Sequence, residues 1–451
     1  MRNSLIAGIL CLVLRGPVVA QQMEPLTLQQ AVAIALESNP QRKAALADTH
    51  VARADILEAR SAFFPHVDFS EAVTRSNDPV YVFGTRLRQS RFTAADFALN
   101  RLNQPTPISN FATRFGAQWN LFDSFASSLS LQRAKQLNQA ASDQLAMADQ
   151  QTIFRVIQAY YGLLFANRQF EVAEKSNRTA KAVVDDSRAR VEAGTVVESD
   201  LLTAQVNQAT REQEVVRLRN AAALSRAQLN ASLGVPLDRE FQMNENLAER
   251  ELQEIPLSVA EEHAIKERPD LKQVSEQVAA QKTSVQLAKS AFGPRVDVFA
   301  ASELDNAAFL TNGHSNWMAG AELKLDLFSG GQKRAQLSRE NALLEHASAA
   351  KHAAEDNVRL EVRRAYYDWD SARQMIAIAH ATVAQAEESL RITRNRYASG
   401  LTTITDLLKT EDAARTAQMN YWDAVYRYNV SYAALELASG SLSSQSPVVT
   451  Q

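Results

Sequence analysis

Four short segments of the chain alternate apolar and polar residues with a period of two. Val67, Phe69 and Val73 alternate with Asp68 and Ser70; Phe115, Ala117, Trp119 and Leu121 alternate with Gly116, Gln118 and Asn120. Val296 and Val298 alternate with Arg295 and Asp297; Leu323, Leu325 and Leu327 alternate with Glu322, Lys324 and Asp326. One apolar and one polar face per segment predicts half-buried strands, arranged as two hairpins at about 65–122 and 295–328. The loop of the first hairpin, 77–111, is rich in Asn, Pro, Arg and Ser, which predicts an exposed segment.

The stretches 125–193 and 332–398 carry a different pattern. Neither contains Pro, the first has a single interior Gly (Gly162), and both are filled with good helix formers. At ~1.5 Å per residue each predicts one helix roughly 100 Å long. Returning helices follow at 196–233 and 402–437, after turns at Gly194 and Gly400. Shorter helices precede each hairpin: one stops at Asn39-Pro40 and the next at Pro65, and their counterparts stop at Arg268-Pro269 and Pro294. A returning helix and the short helix before the hairpin together span roughly 90 Å, which predicts that they stack end to end against a long one.

The chain is a duplication. Ser61-Ala62-Phe63 and Val67-Asp68 recur as Ser290-Ala291-Phe292 and Val296-Asp297 at an offset of 229. Leu121-Phe122, Ala159-Tyr160-Tyr161, Gly194, Asp200-Leu201-Leu202 and Gly234 recur at an offset of 206. The 23-residue change of offset falls between Asp68 and Leu121, so the first hairpin carries the longer loop. The units predicted are a signal peptide at 1–20, a first repeat at 21–234, a linker at 235–255, a second repeat at 256–440 and a flexible tail at 441–451.

Composition narrows the function. A formal net charge of -3 with 22% charged residues excludes a nucleic-acid binder. Arg2, the apolar run 5–14 and the small residues before Ala20 predict export; the only Cys, Cys11, lies in that run, where Leu10 disfavours its lipidation. The mature chain then has no Cys chemistry, and the seven scattered His residues offer no metal-ligand spacing. No hydrolase or phosphate-loop motif occurs, so no enzyme, cofactor or metal site is expected. Four strands cannot close a sheet, and hydrocarbon does not tolerate an open edge. Strands of this length suit an outer membrane if several chains pool them; three chains would give twelve strands, and four chains would also close. The lumen lining expected is Gln118, Asn120, Glu322, Lys324 and Asp326.

The opening Leu26-Thr-Leu-Gln-Gln-Ala31 with Asn39-Pro40 is one mark of a known family. The corners Asn120-Leu-Phe-Asp123 and Asp326-Leu-Phe-Ser-Gly-Gly331, and the turns Arg190-Val-Glu-Ala-Gly194 and Arg396-Tyr-Ala-Ser-Gly400, are others. In this order and duplication the chain resembles the TolC-like outer membrane efflux proteins over about 26–440. The resemblance implies an α+β membrane protein: a homotrimer whose twelve-stranded β-barrel, four strands per chain, continues as a coiled-coil α-helical barrel in the periplasm. It further implies docking of the tips at Gly194 and Gly400 to a periplasmic adaptor driven by an inner-membrane pump.

By the same resemblance, Asp200 bonds to Tyr397 across a closed periplasmic gate, and Asp406 belongs to an acidic constriction ring. A solvated helix face is the plainer alternative for both Asp residues, whose distance from the turn argues against first-turn capping. Thr402 stands where the best-known members have Arg, and Lys409 where they have a second ring Asp, which weakens the expectation of tight acidic gating. The expected function is the exit duct of a tripartite small-molecule efflux pump. Metal-ion efflux or type I protein secretion through the same channel is the alternative, and a soluble periplasmic coiled-coil scaffold a second one.

Overall fold

The computed structural model describes residues 24–309 and 313–450. The signal peptide expected at 1–20, with Cys11, lies outside the described residues. A short strand β1 (Glu24–Leu26) leads into helices α1 (Leu28–Ser38) and α2 (Pro40–Ser61). Thr27 and Gln30 form a reciprocal capping box on α1. Asn39 then caps α2, accepting from the amides of Gln41 and Arg42 while its own amide donates to the Ser232 carbonyl at 2.9 Å. Strand β2 (His66–Ser76) and strand β3 (Ile108–Phe122) form the first hairpin. Its loop carries α3 (Pro79–Arg88), a 3-10 turn (Ala94–Phe97) and α4 (Leu99–Asn103).

The long helix α5 (Ala126–Glu192) and returning helix α6 (Glu198–Leu233) complete the first repeat. The second begins after β4 (Phe241–Met243), which pairs in parallel with β1, and runs through α7 (Leu257–Glu267), α8 (Pro269–Ser290), β5 (Arg295–Asn306) and β6 (His314–Lys324). It ends with α9 (Gln332–Ala398), α10 (Ile404–Ser439) and a last turn, α11 (Pro447–Thr450). The strands form one antiparallel sheet in the order β2-β3-β5-β6, so β2 and β6 are open edges within the chain.

Along α5, α6 covers the half near the turn and α2 the half near the sheet, where Arg42 pairs with Asp149 at 2.6 Å. Helix α8 lies between the repeats: Thr283 donates to Gln136 on α5, and Gln281 to Glu340 on α9. The main core forms midway along the long helices. Tyr160, Tyr161 and Trp369 are fully buried there, with Leu28 and Val32 of α1, Leu229 and Leu233 of α6, and Tyr432 and Leu435 of α10. Large aromatic surfaces of this kind dominate core energetics, and the Tyr160 hydroxyl donates to the Leu26 carbonyl at 3.1 Å.

Two expectations need correcting. The segment 235–255, expected as a linker, is packed onto the core: β4 pairs with β1, Leu247 joins the core, and Glu245 accepts from both the Leu28 amide and Arg250. The end of the chain is not a flexible tail, because Leu442, Val448 and Val449 are buried against the same core. The Ser-rich composition suggested solvent exposure, but three apolar residues suffice to anchor a segment once a collar of helices supplies their partners.

That packed end also seals Glu436. Its carboxyl is 4% exposed, with one oxygen lacking a partner, and burial pushes its pKa from 4.5 up to about 7 against the opposing pull of the Ser446 hydroxyl. The folded chain therefore holds a proton that the unfolded chain releases above pH 4.5. This contribution to stability is complete below pH 4.5, is lost as pH rises to about 7, and amounts to a few kcal/mol at most. Thermal unfolding midpoints should fall across that window in the unaltered protein. In Glu436→Gln the fall should flatten, and an equally steep dependence in the variant would assign it to other groups.

Candidate functional site

The sheet has two chemically distinct faces, read from its register. Phe69, Phe115, Ser302 and Trp317 stand opposite one another across the four strands, as do Val67, Ala117, Ala300 and Ala319. Val67, Phe69, Val73 and Leu323 on this face are each more than 60% exposed. The Phe69 and Phe115 rings pack at 5.2 Å. The opposite face carries Asp68, Arg114, Gln118, Asn120, Asp297, Glu303, Glu322 and Lys324, with few large apolar side chains among them, of which Phe299 lies over Gly320. Four of the five expected lumen residues thus share one polar face.

Asp326 does not. Strand β6 ends at Lys324, and Asp326 lies past it, at the corner leading to α9, where it pairs with Lys333 at 3.2 Å. The alternating pattern runs on for three residues beyond the ladder because the corner repeats the same apolar and polar spacing without any strand to pair with.

The corners also hold residues whose role the pattern did not reveal. Phe63, Phe64, Phe122, Phe125, Phe292 and Phe328 are all at least 40% exposed at the helix end of the sheet. Exposed aromatic residues below an apolar sheet face make an interfacial girdle. The signal was present in the repeat, since Phe63 recurs as Phe292 and Phe122 as Phe328. Trp119 joins this end, donating to the Phe63 carbonyl at 3.0 Å, whereas Trp317 stands near the far end of β6. The two corners reach the same turn by different means. Gly330 and Gly331 take positive φ in the second copy, and Ser124 and Phe125 do so in the first, at about 1 kcal/mol each. The Ser124 hydroxyl holds that strained turn by donating to the Pro294 carbonyl at 2.8 Å.

At the opposite end, Gly194 (φ +71°) and Gly400 (φ +73°) close both long helices. Thr195 and Leu401 donate back to the Arg190 and Arg396 carbonyls, the six-to-one bond of a Schellman turn. Helices α6 and α10 start only at Glu198 and Ile404, so Asp200 and Asp406 lie in their first turns, contrary to the expectation that they sit too deep for capping. The Thr403 hydroxyl caps α10, accepting from the Asp406 amide at 3.2 Å and donating to the Asp406 carboxylate at 2.8 Å; Thr402 donates to that carboxylate at 3.0 Å. Those bonds, the Thr403 hydroxyl first and the Thr402 hydroxyl second, hold its pKa below 3.8, helped by the charge of Lys409. Asp200 has no such arrangement, because Val197 replaces Thr403 at the cap.

Tyr397 is buried beside Val184, Ala204, Ile404 and Leu407. Its hydroxyl is enclosed without a partner, so within the chain the expected bond from Asp200 is not made. Arg190 covers the ring instead, 5.0 Å from its centroid, with Asp186 pairing to the guanidinium at 2.9 Å. Arg190 appears in the turn motif of the first repeat, but only the fold brings it against the second. Among the described residues, no helix is long and apolar enough to cross a membrane and no acidic or His cluster could hold a metal ion.

Known proteins share this arrangement. The family model described as "Outer membrane efflux protein" matches residues 31–235 and 261–441. The alkaline protease secretion protein AprF of Pseudomonas aeruginosa is 24% identical over 91% of this chain and 83% of its own. A solved membrane protein from Pseudomonas aeruginosa superposes with a TM-score of 0.79 at 20% identity, covering 94% of this chain and 92% of its own. The CmeC outer membrane channel of Campylobacter jejuni superposes with a TM-score of 0.78 at 18% identity, covering 92% of this chain and 85% of its own.

Substitutions at two positions probe these turns. Arg190→Ala removes a stacked cation worth about 1 kcal/mol and should speed amide exchange across 394–401, with Arg190→Lys in between; unchanged exchange would show that Tyr397 needs no cover. Gly400→Ala meets open space but a left-handed φ, and should also raise exchange at that turn, by strain of about 1 kcal/mol with no clash.

Proposed function

The chain belongs to the outer membrane efflux protein family, and from that premise we propose that three copies close a twelve-stranded barrel and a helical tunnel that carry small molecules out through the outer membrane. The outer-membrane exit duct is the family's role; the oligomer, the cargo class and the docking of the tips are the parts proposed. The observation that carries them is the sheet: one face mostly apolar and bare, with Glu71 and Arg75 its charged exceptions on β2, the other polar and charged, with unpaired edges at β2 and β6. Hydrocarbon has no donors or acceptors for those edges, so strands of neighbouring copies must pair with them. Strands of 11, 15, 12 and 11 residues are long enough for the tilted crossing of a bilayer. The aromatic residues at the corners then mark the periplasmic membrane surface, and helices of 67 residues carry the tube roughly 100 Å further.

The polar face, with Gln118, Asn120, Glu322 and Lys324, lines the lumen in this reading. The turns at Gly194 and Gly400 form the tips that meet a periplasmic adaptor, itself coupled to an inner-membrane pump. Asp200, Tyr397, Thr402, Asp406 and Lys409 surround the periplasmic entrance. Thr402 and Thr403 fix Asp406 as an anion, and Lys409 offsets part of its charge. A ring of three such pairs attracts cations more weakly than a purely acidic ring does. Export of a protein is the second reading, favoured by the similarity to AprF, whose name assigns it to alkaline protease secretion. A soluble scaffold is disfavoured by the bare apolar face at Val67, Phe69 and Leu323, which packs against no interior.

Detergent extracts of outer membranes should yield a particle of three chains that forms channels in planar bilayers. Protein recovered from the periplasm in plain buffer would overturn the reading. In those channels Asp406→Asn should lower cation preference equally at about pH 5 and pH 8, since the carboxylate is charged at both. A loss confined to the higher pH would mean that a different group titrates.

A further inference from the structure

The long loop of the first hairpin is a small folded unit. The rings of Phe83, Phe92 and Phe97 meet edge to face, and the buried Asp96 carboxylate binds Arg86, the Thr93 amide and the Thr93 hydroxyl. It therefore moves, if at all, as a body. Its position follows from the segment after α3. Gln89, 8% exposed, donates from its side-chain amide to the Ser109 carbonyl at 3.0 Å, the Asn110 side chain at 2.8 Å and the Asn306 carbonyl at 3.1 Å. Arg88 reaches Glu303 at 3.4 Å, and its carbonyl accepts from Asn316 at 3.4 Å. Asn110, Glu303 and Asn316 all belong to the polar face of the sheet, at the end away from the helices. The loop is thus folded inward over the lumen side of the strands. Only the first copy has it, since β5 and β6 are joined by a short connection.

Building on the duct reading above, we propose that this unit is a cap that narrows the outer mouth of the duct, with Gln89 as its latch. Three caps, one per chain, ring the mouth. Val80, Phe97 and Leu99, each at least 65% exposed in the single chain, supply apolar surface that neighbouring caps would cover. Such a cap limits entry of bulky solutes from outside independently of the periplasmic tip.

The test reads access from outside, which the state of the tip does not affect. In full-length protein carrying Cys11→Ser, Gln118→Cys places one thiol on the polar face near the inner end of the sheet. Intact cells are treated with a small charged thiosulfonate or with a bulky polyethylene-glycol maleimide. The small reagent should label Gln118→Cys at the same rate in every background. The bulky one should label slowly with the cap intact. It should react about tenfold faster in Gln89→Ala, where the latch hydrogen bonds are lost, or when residues 79–105 are replaced by a short Gly-Ser turn. Equal bulky-reagent rates in all backgrounds would overturn the cap. Failure of even the small reagent to react would instead overturn the lumen assignment on which the cap rests. If both cap variants lost the three-chain particle, the loop would be an assembly element and the proposal would fall.

Discussion

An unpaired backbone amide or carbonyl has no partner in hydrocarbon, and this sheet ends in two rows of them. Everything else in the chain is arranged around that deficit. The apolar face of the strands provides insertion energy, but it cannot satisfy the edges of β2 and β6, so the membrane part is incomplete in one copy. The helices extend the same problem into water: two 67-residue helices with short partners stacked along them are held by a main core at mid-length and smaller buried clusters toward the turns. The proposed assembly completes both halves at once, since the sheet edges and the helix flanks of one chain are bare together.

The duplication shows which features of the fold are geometric requirements. Asn39 and Arg268 occupy equivalent places and bond the equivalent carbonyls of Ser232 and Ala438, one through a side-chain amide and the other through a guanidinium that also pairs with Asp270 and Glu361. Ser124-Phe125 and Gly330-Gly331 make the same left-handed corner, with strain in the first copy and without it in the second. Val197 and Thr403 start equivalent helices, and only the threonine supplies a cap. In each pair the backbone path is kept while the chemistry that holds it changes. The asymmetry of the two turns follows from those changes: Asp406 is fixed by two hydroxyls and Asp200 is not.

The helix turns and the long hairpin loop, at opposite ends of the folded chain, are held by contacts of different kinds. At the turns, an arginine from one repeat stacks on a buried tyrosine of the other, so the register of the two long helices decides whether that contact forms. At the other end, a compact loop is joined to the strands by a small set of polar bonds. Polar contacts over a lumen exchange readily with water, whereas a buried ring under a guanidinium resists such exchange.

The long helices, the two hairpins, the faces of the strands and the glycine turns were legible in the sequence, because each is written as a local period or a local backbone requirement. The family resemblance was legible for the same reason, as a succession of such local marks. Tertiary structure alone decided where β6 stops, because the alternation continues past the ladder to Asp326 and only a pairing partner defines a strand's end. It decided that the last residues pack, since burial of Val448 and Val449 depends on α1, some four hundred positions earlier in the chain. It also decided the company of Tyr397 and Gln89: one ring and one amide, indistinguishable in sequence from any others, are held by partners 207 and 217 positions away. Period and turn chemistry are properties of neighbours along the chain, and a site is a property of neighbours in space.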